Sequence, residues 1–374
     1  MDGEHKFMIR ERISVIAGLL LLLVAGLAAI LAQGGEFSVW ERRYLAERPS
    51  VPDLTYWKTD KAVESFLTDH VPGRRTLVTL DSTAEFLTGR GSRLGAWYTS
   101  GTLVEPPVPV ETSSLETKLR RFGRIADSAG VPWYLLSPRS HGWLLRGSMA
   151  PIVAGAYESE DEGYALLDAS PNTVSMPDAF NADPDSMYYK TDHHWTLQGA
   201  YQAYLALAGS LGYEPLPLDS FRLTEYTGFK GTTLARSGLP SFWQDTLSCA
   251  EPESAVTMTA FDHGVETVSD HLIFPEEAAT WDGYAVYLKG NHGTLIIERP
   301  DAPEGTLVVY KDSMANCLLP LLSQHFRRII AVDARYDDGV FSDALTRSDD
   351  IKAILYVYSL ESLANDTEIT RKAK

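Results

Sequence analysis

The sequence of 374 residues contains only two cysteines, Cys249 and Cys317. A disulfide framework is therefore excluded as the source of stability, and a chain of this length depends on an apolar core. One Cys249–Cys317 bridge stays open, and the alternative for Cys317 is a small buried side chain within an apolar helical pattern.

Basic residues are also in deficit, with 33 lysines and arginines against 50 acidic residues and a formal net charge of -17. Such a charge repels nucleic acid, so a nucleic-acid partner is excluded. The chain also lacks a fixed-period repeat and a long low-complexity run, which excludes solenoid and fibrous classes. One large domain or two small ones are expected.

A long uncharged segment is present near the start, where about twenty mostly apolar residues are enough to span a bilayer of roughly 30 Å. Lys6, Arg10 and Arg12 precede it, and the positive-inside bias places that end in the cytoplasm. The sequence therefore predicts a single-pass cell-membrane protein with an extracytoplasmic C-terminal domain. The predicted parts are a cytoplasmic terminus (1–12), a transmembrane helix (13–32), a membrane-proximal segment (33–60) and the extracytoplasmic domain (61–374). The alternatives for this segment are a cleaved signal peptide and a buried core helix.

The rest of the chain alternates strand and helix patterns. Strands are predicted in "VPWYLLSP", "NTVSMP", "GTLVVY", "RIIAVD" and "AILYVY". Helices are predicted after the Ser113-x-x-Glu116 capping box, from Leu197 to Gly212, in "MANCLLPLLSQHF" and in "SLESLAND". This alternation predicts an α/β fold with a parallel sheet covered by helices on both faces, which binds ligands beyond the carboxyl ends of its strands.

Two stretches carry residues suited to chemistry. In "LVVYKDSMANCLL", Ser313 follows a predicted strand, where the first N–H groups of the next helix could hold an oxyanion. The alternative is that Ser313 only caps that helix. In "YYKTDHHWTLQGAYQAY", Asp192 and His194 supply the acid and the base that a serine nucleophile requires.

The stretch "YYKTDHHWTLQGAYQAY" resembles the signature of the bacterial DHHW family. Its T-D-x-H-W-x-x-x-G-A core is similar to that of the SGNH hydrolase-like domain of the alginate O-acetylation (AlgX/AlgJ-like) proteins. The resemblance extends through "FLTDHVPGR", "FKGTTLARSG", "LKGNHG", "VVYKDSMANCLLPLL" and "VDARY". It implies a flavodoxin-like SGNH hydrolase-like fold with a circularly permuted motif order, in which the acid and the histidine precede the serine.

Carried over by position, the resemblance implies Ser313 as nucleophile, His194 as general base and Asp192 as the acid that orients it. It further implies Asn291 as an oxyanion-hole residue and Arg335 as a residue that lines the site. The sequence reads K-D-S-M where the commonest pattern is G-D-S. The missing glycine and the bulky Met314 bear on how closely a substrate reaches Ser313.

Several neighbouring residues have competing interpretations. His193 supports His194 or exchanges roles with it. Trp195 belongs to the core or forms an aromatic wall against a sugar ring, and His292 contacts substrate or is a surface histidine. No metal site is predicted, because Asp192, His193 and His194 are consecutive and should point in different directions. No cofactor is expected.

The sequence therefore predicts a membrane-anchored, extracytoplasmic O-acyltransferase, such as an acetyltransferase, or an esterase that acts on a cell-surface or exported polysaccharide. The resemblance implies a membrane-bound O-acyltransferase as the partner that supplies acyl groups. The alternative function is a catalytically inactive polysaccharide-binding or scaffold protein of an exopolysaccharide assembly system, because fold alone does not determine activity.

Overall fold

A computed structural model describes residues 2–32, 36–49, 59–89, 95–240, 242–347 and 350–373. The chain forms two compact units, which comprise residues 1–94 with 235–240 and residues 95–234 with 241–374. Parts of the predicted membrane-proximal segment, residues 33–35 and 50–58, lie outside the described residues. The predicted start of the extracytoplasmic domain at residue 61 stays a prediction.

The first unit consists of helices and one short strand pair. Its elements are α1 (Asp2–Ala32), β1 (Phe37–Ser38), β2 (Arg43–Tyr44), α2 (Thr59–Asp69) and α3 (Arg74–Leu87). The Pro72-Gly73 pair separates α2 from α3, and Gly73 takes a left-handed conformation with φ 73° immediately before α3. Arg43 pairs with both Glu41 and Asp69, so it links the strand pair to α2.

The predicted transmembrane helix over residues 13–32 falls within α1. Across the described part of the chain, no helix combines the length and apolar character that crossing a bilayer requires. The transmembrane part of the predicted fold stays a prediction from the sequence.

The second unit is built on a seven-stranded sheet, with two further strand pairs outside it. Its strands are β3 (Trp97–Thr99), β4 (Thr102–Val104), β5 (Trp133–Leu136), β6 (Phe221–Phe229), β7 (Asp245–Pro252), β8 (Thr257–Asp262), β9 (Val265–Ser269), β10 (Thr294–Glu298), β11 (Glu304–Lys311), β12 (Phe326–Val332) and β13 (Ile351–Val357). The order in the large sheet is β5-β13-β11-β12-β10-β8-β9, while β3 pairs with β4 and β6 with β7.

The sheet is mixed, which corrects the prediction of a parallel sheet. Strands β5, β13, β11 and β12 are parallel, as predicted. Strands β10, β8 and β9 add to β12 in antiparallel fashion. A tight turn joins β8 to β9 through His263 and Gly264, whose φ angles of 47° and 80° suit a two-residue hairpin. The α/β class is confirmed.

Helices cover both faces of the parallel part. The helices of this unit are α4 (Thr112–Ala129), α5 (His141–Leu145), α6 (Pro151–Ala154), α7 (Glu158–Asp168), α8 (Ala179–Ala182), α9 (Pro184–Met187), α10 (Leu197–Leu211), α12 (Leu319–Leu322), α13 (Phe341–Leu345), α14 (Leu360–Asn365) and α15 (Thr367–Lys372). The residues of α11 (Thr232–Ser237) are divided between the two units after Leu234. Along β11, Leu307 and Val309 join the core that contains α10, whereas Val308 and Tyr310 join the core that contains α4. This alternation buries the central strand on both sides.

Four details of the predicted elements changed. The segment "NTVSMP" forms only a bridge between Thr173 and Leu135 of β5. The capping box is wrong, because α4 begins at Thr112, after an N-cap at Glu111. The helix predicted over residues 314–326 is a 3₁₀ helix, Ser313–Cys317, followed by the short α12. Cys249 and Cys317 are both buried and free, so no bridge joins them.

Candidate active site

Ser313 lies at the carboxyl end of β11, in the middle of the parallel strands. Asp312 holds this turn in place. One carboxylate oxygen accepts from the Met314 N–H at 2.9 Å. The other accepts from the Ser359 N–H at 2.8 Å and from the Ser362 hydroxyl at 2.7 Å. The buried carboxylate thus ties the serine turn to the first residues of α14.

The four residues Asp192 to Trp195 form a tight bend just before α10. A bridge between Tyr188 and Trp195 closes this bend. Thr196 is the N-cap of α10, and its side chain accepts from the Gly199 N–H. The backbone of Gly231 packs so closely that an added Cβ would lie 2.2 Å from the Cβ of Asp192. Only glycine therefore fits at position 231 without displacing the acid.

The bend and the serine turn meet in one hydrogen-bonded row. His194 Nε2 lies 2.8 Å from Ser313 Oγ, and His194 Nδ1 lies 2.5 Å from Asp192 Oδ1. Asp192 Oδ1 also accepts from the His194 N–H at 3.0 Å, and its Oδ2 accepts from the Thr232 N–H at 2.6 Å. His194, and not His193, is the histidine that contacts the serine. The row has the order acid, histidine, serine that a nucleophilic triad requires.

The electrostatics of the row keep the acid ionised and the imidazole neutral. Burial alone would raise the pKa of Asp192, but the charges of His194 and His193 and its hydrogen bonds hold that pKa well below the usual value. Burial and then the neighbouring His193 lower the pKa of His194 to about 4, against the opposing effect of Asp192. At neutral pH His194 is therefore an uncharged proton acceptor.

This lowered pKa predicts a pH profile. The rate constant kcat/KM for ester hydrolysis by the full chain should fall only below about pH 5, with a midpoint near 4, since His194 accepts a proton only when neutral. Initial rates between pH 3.5 and 8 measure the midpoint. Thermal unfolding at each pH serves as the control for acid denaturation. A midpoint near 6.5, the ordinary value for histidine, would contradict the prediction.

His193 and Tyr284, of which the sequence did not single out Tyr284, enclose the imidazole. The ring of Tyr284 stacks on His194 at a centroid distance of 3.7 Å and an angle of 9°. His193 lies against His194 at 3.9 Å, and its Nδ1 is 3.8 Å from Glu105 Oε1. These contacts hold the plane of the His194 ring. Tyr284 lies ninety positions from the histidine in a short 3₁₀ helix, Gly283–Val286, and no local pattern marks it.

A cavity of about 60 Å³ lies beside the bend and the serine turn, bordered by Asp192, His193 and Met314. That volume is enough for a few water molecules or a short acyl group. Apolar side chains such as Leu103 and Pro106 form part of its wall, and Glu105 and Glu361 add negative charge. Met314, which raised the question of access to Ser313, is buried and lines this cavity.

The other predicted site residues have different surroundings. Trp195 is fully buried, and its indole N–H donates to Cys317 Sγ at 2.8 Å, so it packs in the core. His292 is held through both ring nitrogens, by Asp262 at 2.6 Å and by the Leu288 carbonyl at 2.8 Å. Arg335 forms a two-pronged ion pair with Asp333 at the end of β12.

Asn291 is tied to the helix that Ser313 begins. Its Oδ1 accepts from the Asn316 side-chain amide at 3.1 Å. The predicted contribution of helix N–H groups is reduced, because the Met314 N–H donates to the Asp312 carboxylate and the Ala315 N–H to the Asp312 carbonyl. The Ser313 N–H is the first of the helix, where geometry allows no intrahelical partner.

The expectation that Asp192, His193 and His194 diverge is wrong. One ligand atom from each of the three lies within 4.8 Å of the others, a grouping that could hold a metal ion. An ion there would compete with the hydrogen bond between Asp192 and His194, which joins two of the same three side chains. The geometry therefore allows either an ion or the triad.

Comparison with known families supports the resemblance found in the sequence. The sequence model of the family described as DHHW protein matches residues 180–332. This range contains the bend from Asp192 to Trp195, the turn of Ser313 and strands β6 to β12. The resemblance to the DHHW family is thereby confirmed. No functionally curated protein matches the chain in sequence.

Solved structures share the fold. A DHHW family protein from Eubacterium siraeum aligns with a TM-score of 0.61 and 20% identity, over 74% of this chain and 97% of the other. PatB1 of Bacillus cereus aligns with a TM-score of 0.60 and 22% identity, over 73% of this chain and 98% of the other. PatB1 has also been solved with a sulfonyl adduct, at the same TM-score of 0.60. The two proteins and this chain have a common mixed α/β fold.

Proposed function

We propose that this protein is a serine-dependent enzyme that acts on a polysaccharide. It is either an O-acyltransferase, such as an acetyltransferase, or an esterase. The observation that carries the proposal is the continuous row Asp192–His194–Ser313, with the serine at the end of a central parallel strand. Both contacts have hydrogen-bonding length, and the His194 pKa of about 4 leaves the base neutral at physiological pH. PatB1, which shares this fold, has been solved with a sulfonyl adduct, and this agrees with a covalent mechanism.

The proposed reaction has two halves. Ser313 Oγ attacks the carbonyl carbon of an acyl ester and gives its proton to His194 Nε2, while Asp192 stabilises the imidazolium. The tetrahedral intermediate collapses, the donor alcohol takes the proton from His194, and the acyl group stays on Ser313. A sugar hydroxyl then attacks the acyl-serine and loses its proton to His194. The bond between Ser313 Oγ and the acyl group breaks, His194 returns the proton to Ser313 Oγ, and the acylated sugar leaves. Water in place of the sugar gives hydrolysis.

The experiment is detection of the acyl-enzyme. The full chain is mixed with a chromogenic acetyl ester and quenched early, and the peptide that contains Ser313 is analysed by mass spectrometry. A burst of product and an acetyl group on Ser313 are expected. Addition of a neutral hexose oligosaccharide tests transfer, because acetylated sugar then appears beside free acetate.

Two outcomes would contradict the proposal. Absence of both the adduct and turnover would favour the catalytically inactive polysaccharide-binding alternative. Loss of turnover on treatment with a chelator, restored by a divalent ion, would favour a metal at Asp192, His193 and His194.

The location and the partners are part of the proposal. The uncharged segment over residues 13–32 and the basic residues before it support a membrane anchor with the catalytic unit outside the cell. Acyl groups would then have to cross the membrane before they reach Ser313. A membrane-bound O-acyltransferase is the class of partner that supplies them.

A further inference from the structure

A buried lysine one residue from the serine turn has no part in the proton-transfer row. Lys311 is 2% exposed, and its Nζ donates to Asn316 Oδ1 at 2.7 Å. Burial lowers the pKa of Lys311, with Asp333 opposing that effect. A buried ammonium group is costly unless it is hydrogen-bonded, and the contact with Asn316 supplies such a bond.

We propose that Lys311, acting through Asn316, fixes the side-chain amide of Asn291 so that its NH₂ group serves as the donor for the oxyanion. This inference rests on the proposed acyl transfer and deepens it. Lys311 and Asn316 are positioning residues, and Asn291 is the group that meets the reacting carbonyl oxygen.

The contact with Lys311 decides the orientation of the Asn316 amide. The oxygen and nitrogen of an asparagine amide are nearly indistinguishable by shape, and their assignment depends on their partners. A lysine ammonium group can only donate, so the atom of Asn316 that faces Lys311 has to be the oxygen. The Asn316 amide is therefore locked in one of its two orientations.

The orientation of Asn316 in turn decides the orientation of the Asn291 amide. With its oxygen toward Lys311, Asn316 presents Nδ2 to the Gly290 carbonyl at 3.4 Å and to Asn291 Oδ1 at 3.1 Å. The carbonyl of Gly290 can only accept, which agrees with the same orientation. Because Asn316 donates, Asn291 has to accept with its oxygen. The Asn291 NH₂ group then lies on the edge of the amide that faces away from Asn316.

Asn316 lies in the same short helix as Ser313. Ser313 and Asn316 are three residues apart in a 3₁₀ helix, where side chains at that spacing lie on the same face. The loop before Asn291 is preorganised, since Leu288 and Lys289 hold φ angles of 61° and 62°, an uncommon conformation for side chains other than glycine. His292 bonds back to the Leu288 carbonyl and closes this loop. The serine helix and the rigid loop thus meet through Asn316 and Asn291.

The test exploits the isosteric change Asn316→Asp. The carboxylate keeps its bond to Lys311 but turns an acceptor toward Asn291, whose amide must rotate and direct its oxygen at the oxyanion. We expect kcat for hydrolysis of a chromogenic acetyl ester to fall on the order of 100-fold, which is the loss that follows removal of one oxyanion-hole donor. KM should change little. Asn291→Ala should cause a similar loss. The double variant should be no slower than Asn291→Ala, because both changes remove the same donor.

A matched control uses Asn172, whose Nδ2 donates to the Trp133 carbonyl at 2.9 Å outside this group of residues. Asn172→Asp is expected to lower the Tm and to keep the wild-type kcat. Lys311→Met provides a second variant if Asn316→Asp does not fold, and a loss on the order of tenfold in kcat is expected because Asn316 becomes free to rotate.

The possible results separate the inference from the proposed function. A kcat within about twofold of wild type in folded Asn316→Asp or Lys311→Met would overturn the inference, as would losses that multiply in the double variant. If Ser313→Ala remains active, the proposed function fails as well. An inactive Ser313→Ala together with a fully active Asn316→Asp overturns the role of Lys311 and Asn316 alone.

Discussion

The Ser313→Ala variant is expected to lose ester hydrolysis and acyl transfer by a factor on the order of 10⁴ to 10⁶ in kcat, the loss that follows removal of the nucleophile from a serine triad. The hydroxyl is the only atom removed, and it is the atom that His194 Nε2 contacts at 2.8 Å. The measurement is the steady-state rate with a chromogenic acetyl ester, together with the absence of an acetylated Ser313 peptide. The Tm should stay close to that of the wild type, since Ser313 is only partly buried.

Ser323→Ala is the matched control for this variant. Ser323 is fully buried, and its hydroxyl donates to the Pro320 carbonyl at 2.7 Å. Its removal should cost about 1 kcal/mol of stability and leave kcat unchanged. Full activity in Ser313→Ala would rule out the nucleophilic mechanism. Polysaccharide binding that persists in both variants without any turnover in the wild type would favour the binding-protein alternative.

The Asp192→Asn variant is expected to lower kcat by a factor on the order of 10³ to 10⁴. Asp192 accepts a hydrogen bond from His194 Nδ1–H. The neutral imidazole therefore keeps its free lone pair on Nε2, which faces Ser313. An amide NH₂ group in that position favours the opposite tautomer, with the proton on Nε2. The same carboxylate accepts two backbone N–H groups, from His194 and Thr232, so a lower Tm is expected as well.

Asp270→Asn is the matched control, because it changes another aspartate that contacts a histidine Nδ1. Asp270 Oδ1 lies 2.9 Å from His271 Nδ1 at an exposed position. Activity and Tm should both stay at the wild-type level, since exposed ion pairs contribute little. If Asp192→Asn retains more than about one third of the wild-type kcat, Asp192 does not orient the base, and the proposed mechanism loses its acid.

Local patterns predicted much of the fold and part of the site. The apolar runs of β5, β11, β12 and β13 identified the parallel strands, because a strand buried on both faces lacks polar residues. The mixed half of the sheet was not predicted. Strand β9 is exposed along most of its length, including Val265 and Val268, and the pairing of β8 and β9 depends on which edge of the sheet is open rather than on their own sequence.

The amino-acid sequence by itself determined the α/β class, the resemblance to the DHHW family and the identity of Asp192, His194 and Ser313 as candidates. Each depends on local order along the chain, such as an apolar run that ends at a serine or an acid two residues before a histidine.

Only the tertiary structure decided which side chains meet. It joined His194 to a serine 119 positions later, placed Tyr284 on the imidazole, buried Trp195 and brought Asn316 against Asn291. These contacts depend on how strands and loops pack in space, which the spacing of residues along a chain does not encode. The orientation of a buried amide also depends on the tertiary structure, because it follows from the donors and acceptors that packing places around it.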